Sequence, residues 1–175
     1  MLIFLAAMAA LLSPGERLAM PMPAGFITAH QQTAGVGSIE ERIATGETVE
    51  QWTRMITLIT LFSEIAIEEY APGFEAQIRQ GCPGATAAPR IAASMGAHPA
   101  IDGRLDCPRN PATGLPETFL YRVVNDGTQL HMIQVAFRRV PSAADIAWAQ
   151  ERIDSAVLCS PPSARLACAP VRPGG

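Results

Sequence analysis

A chain of 175 residues, 49% hydrophobic and 17% charged, is long enough to bury the core of one domain and too short for two. All 13 basic residues are Arg, and a chain without Lys cannot form a Schiff base, anchor pyridoxal phosphate or supply a P-loop lysine. With a formal net charge of −3, no basic stripe for nucleic-acid binding is expected.

Residues 2–12 are an unbroken apolar run, closed by Ser13-Pro14-Gly15. In a helix it would span about 16 Å, half a bilayer core, so it predicts no integral membrane span. Followed by a polar, Pro-rich linker over 13–23, it reads as the apolar stretch of a secretory signal peptide covering residues 1–19. The alternative is a buried N-terminal helix. The remaining organisation is one domain over 20–159 and a Pro-rich C-terminal tail over 160–175, and the expected location is periplasmic or secreted.

Two extended segments, 25–33 and 35–44, meet at Ala34-Gly35 as an edge hairpin. Gly35-Val36-Gly37-Ser38 opens like a phosphate loop but leads into Ile39-Glu40-Glu41, acids where a phosphate needs donors, so it reads as a turn. Thr48 is placed to cap a short helix to about Arg54, with Val49 and Trp52 on one face. The β-branched run 56–62 then predicts a buried strand. A single helix over both stretches is the alternative.

Pro72 and Gly81 bracket a helix over 71–80, with Ala71, Phe74 and Ile78 on its apolar face. Residues 83–90 read as loop, 90–95 as a strand and 98–104 as a turn-rich excursion. Residues 119–124 and 128–140 form a hairpin about Asn125-Asp126-Gly127. Its second arm places His131, Ile133, Val135 and Phe137 on the core-facing side. Ser142 and Asp145 open a final helix with an apolar stripe at Ile146, Ala149, Ile153, Ala156 and Val157. Trp148 falls off that stripe and is a candidate contact residue. The predicted order, β-β-α-β-α-β-β-β-α, gives an α+β fold, an antiparallel sheet with helices packed on it.

Four cysteines, Cys82, Cys107, Cys159 and Cys168, contain no C-x-x-C pair, which excludes zinc ribbons and thioredoxin-type motifs. In an exported chain an even number favours disulfides. Three connectivities are open, and the flanking Pro- and Gly-rich stretches favour Cys82–Cys107 with Cys159–Cys168.

There is no G-x-S-x-G, G-x-G-x-x-G or H-E-x-x-H motif, and no cofactor, metal or catalytic residue set is predicted. His30, His98 and His131 lack metal-ligand spacing. Between Glu40 and Glu75 eight Glu face two Arg, a local charge of −6. That could form an acidic patch for a cationic partner, although solvated helix and loop faces explain it more simply.

The segment Gly46-Glu47-Thr48-Val49-Glu50-Gln51-Trp52-Thr53-Arg54-Met55-Ile56-Thr57, with Cys82-Pro83 after it, resembles a stretch in small exported proteobacterial proteins. The layout is similar to the sandwich of the photosystem extrinsic protein PsbP and its relatives, which implies a binding or assembly accessory. The leading functional expectation is therefore a non-catalytic exported module that binds a protein or envelope component. The alternative is a small exported hydrolase pairing His98 or His131 with Asp102 or a Glu.

Overall fold

The computed structural model describes residues 15–159. Ten strands and two helices occur there: β1 (Arg17–Ala19), β2 (Phe26–Ala34), β3 (Gly37–Ala44), β4 (Arg54–Leu61), α1 (Ile67–Gly81), β5 (Thr86–Ala87), β6 (Ile91–Met95), β7 (His98–Cys107), β8 (Glu117–Asn125), β9 (Leu130–Phe137), α2 (Ala143–Asp154) and β10 (Val157–Cys159). Eight strands form one antiparallel sheet in the order β2-β3-β4-β9-β8-β7-β5, with β6 also pairing with β7. The short pair β1–β10 stands apart from it.

The α+β expectation is corrected by this sheet: the chain has a β-rich fold, with only two helices among the described residues. Two local readings account for the difference. The helix expected over 48–54 is a loop. Thr48 and Gln51 exchange backbone hydrogen bonds, and Glu47 accepts from both the amide and the hydroxyl of Thr53. Trp52 is buried in that loop, with the Arg138 guanidinium 4.0 Å from its ring centre. Tertiary contacts override a helix-like pattern there. The turn-rich excursion expected over 98–104 is part of β7, the longest strand. Pro99 is tolerated because pairing with β8 begins only at Ala100. The helix expected over 71–80 begins one turn earlier, without a side-chain cap, so that Pro72 lies inside α1.

Both faces of the sheet are covered. One carries α2 over Ile56, Leu120, Ile133, Val135 and Phe137. The other carries α1 over Leu105, Phe119, Tyr121, Met132 and Ala136. Hence the second arm of the β8–β9 hairpin buries its even face as well as the odd face expected to form the core. Ala149, Ile153 and Ala156 of the α2 stripe are buried, but Val157 is exposed on β10. The chain has left the helix by then, and the 3.6-residue period no longer applies.

The α2 start is a capping box: Ser142 accepts from the Asp145 amide, and Asp145 accepts from the Ser142 amide. At the β8–β9 turn Gly127 has φ +93°, with nothing near a Cβ built on it. Gly127→Val should therefore cost about 1 kcal/mol through backbone strain alone, read as a lowered urea midpoint. An unchanged midpoint would show that the turn tolerates a β-branched residue.

Candidate functional site

The strongest polar constellation in the core surrounds Glu75. Its sequence position, four residues after Ala71 on the apolar side of α1, puts a carboxylate against the sheet. Tyr121 of β8 donates its hydroxyl to Oε1 at 2.8 Å. Arg90 donates to Oε2 at 2.9 Å, and Arg79, one turn further along α1, lies 3.5 Å from the same oxygen. Burial, then the Glu75 carboxylate, pushes the Tyr121 phenol above its ordinary value, so it remains a donor. Gly103 on β7 pairs with Tyr121, and the ring occupies the space that a Cβ would need.

This cluster forms one wall of a cleft of about 450 Å³ between α1 and the segment joining β5 to β6. Pro72, Ala88 and Pro89 supply its apolar walls. The Arg79 and Arg90 side chains are 46% and 40% exposed, against 4% for Glu75. The cleft is thus rimmed by two cations over one buried anion. On the other flank of α1 a second cleft, about 360 Å³, is lined by Phe74, Ile78, Phe119, Gln77 and the Cys82–Cys107 pair.

Those two cysteines are joined by a disulfide, with Cα atoms 6.0 Å apart. It ties the end of α1 to the end of β7, and closing 25 residues contributes about 3 kcal/mol in the chain-entropy view. Cys159 is also disulfide-bonded, and Cys168 lies outside the described residues.

Of the expected pairings of His98 or His131 with Asp102 or a Glu, those with Asp102 are not formed. Arg122 takes Asp102 with two hydrogen bonds, 2.6 and 2.7 Å, and also reaches Asp154 of α2. This clamp joins β7, β8 and α2. His98 instead lies 2.9 Å from Glu16. His131 is fully buried, with Nδ1 2.9 Å from the Thr60 hydroxyl and Nε2 3.4 Å from Asp126. A hydroxyl, an imidazole and a carboxylate are aligned, yet the imidazole is sealed from solvent and neither cleft beside α1 is lined by it. Exposed His30 stands on the edge strand β2, opposite Glu41. Among the described residues no group of His, Cys, Asp or Glu is placed to hold a metal ion.

Asp126 organises the turn. It accepts from the amide and hydroxyl of Thr128, the amide of Gln129 and the amide of Glu16. Burial pushes its carboxyl up, but these donors outweigh burial and hold it well below the usual carboxylate range. Burial likewise lowers the His131 imidazole, against the pull of Asp126. Both groups bind protons more readily unfolded than folded, so both contribute stability that acid removes. The His131 share should fade as pH falls from about 6.5, and the Asp126 share below about 4. Urea midpoints should therefore decline from pH 7.5 to 5 and more steeply below 4; a flat profile would contradict these assignments.

Trp148 is half-buried. Its ring centre lies 5.6 Å from that of Phe26 and 6.3 Å from that of Phe137, with the Arg54 guanidinium at 4.9 Å. The acids between Glu40 and Glu75 are dispersed: Glu40 pairs with Arg42, Glu47 holds Thr53, and Glu75 is buried. Glu75, Arg79, Arg90 and Tyr121 form no motif along the sequence. The one signal was a carboxylate on the apolar side of a helix.

No family model and no curated protein matches the chain. Solved structures do share its fold. The Ran-binding protein Mog1p of Saccharomyces cerevisiae is 10% identical, over 79% of this chain and 88% of its own, with a TM-score of 0.53. LpqN of Mycobacterium tuberculosis, involved in cell envelope biogenesis, is 14% identical over 85% of this chain and 87% of its own, with a TM-score of 0.50. At these identities the likeness is one of fold: the chain has a Mog1-like, β-rich architecture.

Proposed function

We propose that this protein is a non-catalytic exported module that binds a protein or envelope component along α1. One observation carries the reading. Two clefts flank the same helix, while His131 and Asp126 are closed into the fold, Asp102 is taken up by Arg122, and the His98–Glu16 pair lines neither cleft. Open clefts without a histidine and acid at hand suit recognition better than proton transfer.

The Cys82–Cys107 disulfide supports a periplasmic or secreted location, since such bonds persist in oxidising compartments. Mog1p's binding of Ran supports a binding role on this fold, and LpqN's involvement in cell envelope biogenesis supports an envelope setting. The PsbP-like resemblance belongs to the same proposal, although the Gly46–Thr53 part of its motif falls in the loop before β4. The expected signal segment, 1–19, overlaps β1; the burial of Leu18 and Met20 and the Arg42 bond to the Met20 carbonyl support a cleavage point ahead of β1 instead. No helix among the described residues is long and apolar enough to cross a membrane.

Two experiments test the reading. Fusing residues 1–20 to a phosphatase active only after export should give active reporter; an inactive, cytoplasmic fusion contradicts export. Affinity capture from envelope extract with the full chain should enrich a partner over an unrelated exported control. No enrichment contradicts binding.

A further inference from the structure

We propose that the cleft between α1 and the β5–β6 segment is a carboxylate-binding site, in which Arg79 and Arg90 receive a ligand carboxylate carried on an apolar body. The inference rests on the binding reading and names the chemistry one of its clefts takes.

The charges at the site do not balance. Arg79 and Arg90 bring two positive charges to the single carboxylate of Glu75, leaving one uncompensated cation at the cleft. Each guanidinium has five N–H donors and directs only part of that fan at Glu75. Both residues line the cleft with side chains 46% and 40% exposed, which leaves donors not engaged by Glu75 accessible to a ligand. Glu75 is fixed from its other side by Tyr121 and cannot swing out to satisfy more of them. A singly charged planar acceptor neutralises this excess and matches the guanidinium fork.

The walls decide between carboxylate and phosphate. A phosphate site is normally furnished with backbone N–H groups and hydroxyls. Here Pro72 and Pro89 have no N–H, and the Ala88 amide is already bonded to the Arg104 carbonyl at 3.0 Å. No Ser or Thr lines the cleft. What faces the ligand is proline and alanine, which suit methylene or small side-chain groups next to the charged head. About 450 Å³ accommodates a short acid or the last residues of a peptide.

The test is isothermal titration of the full chain with hexanoate, with an acetylated Ala-Ala-Leu tripeptide bearing a free C-terminus, with its C-terminal amide, and with inorganic phosphate. One or both carboxylates should bind, and which one does identifies a free acid or a peptide end as the source. The amide and phosphate should bind at least tenfold more weakly. Arg79→Ala and Arg90→Ala should each weaken the carboxylate about tenfold. Glu75→Gln, which removes the internal competitor but keeps an acceptor for Tyr121, should strengthen it several-fold. An ion-pair cluster with a purely structural role would show no such gain. Thermal melts confirm folding, and Arg79→Ala keeps the test valid if a variant at Glu75 fails to fold. The site is overturned if neither carboxylate binds, if amide or phosphate binds as well, or if the Arg variants bind like wild type. Partner capture that survives while the carboxylates fail would overturn the site alone and leave the binding reading standing.

Discussion

Ile153→Ala is expected to cost 2–5 kcal/mol, the range for large-to-small changes in a packed core, cavity included. Ile153 is 1% exposed in the last turn of α2, in one cluster with Leu120, Val124, Ile133, Val135 and Ala149. The helix is held at its start by the capping box and beyond its middle by the Arg122–Asp154 bond. It therefore cannot slide to refill the void. A domain with about 5–15 kcal/mol of stability would lose a large fraction. Ala147→Ser, on the exposed side of the same helix, should change stability by less than about 0.5 kcal/mol. Coincident urea midpoints for the two variants would mean that α2 does not dock by this face.

Gly103→Ala is expected to cost about 2–6 kcal/mol, for a different reason. The Tyr121 ring, 1% exposed, fills the space over Gly103 and is met edge-on by Phe74 at 5.3 Å. A methyl group there displaces the ring, and overpacking of this kind costs about 1–3 kcal/mol. Moving the ring also withdraws the phenol from Glu75, leaving a buried carboxylate oxygen short of a donor at about 1–3 kcal/mol more. A variant that melts with wild type would show that the ring has room to move, and that the Glu75 cluster does not depend on its position.

What was legible in the sequence was local. Asn125-Asp126-Gly127 between alternating apolar arms predicts the β8–β9 hairpin, and Ser142 with Asp145 predicts the start of α2. The strand after Arg54 follows from a β-branched run that no polar residue interrupts for long. The failures have non-local causes. Pro99 and Gly103 look like breakers, yet one lies before the β8 pairing begins and the other makes room for a ring 18 positions along the chain. The helix-like Thr48–Arg54 stretch is held as a loop by Glu47 and by Arg138 over Trp52. α1 starts at Ile67 without any capping side chain that would have marked it. The Glu75 site draws on positions 75, 79, 90 and 121, so only the fold assembles it.

Recognition along α1 is tested most directly by site-specific photo-crosslinking in cells of the source organism. A photoreactive residue is placed either at Gln77, exposed beside the disulfide cleft, or at Ala147 on the opposite side of the sheet. A discrete adduct from Gln77 with none from Ala147 is the predicted result. No adduct at Gln77, or an equal one at Ala147, would contradict docking along this helix.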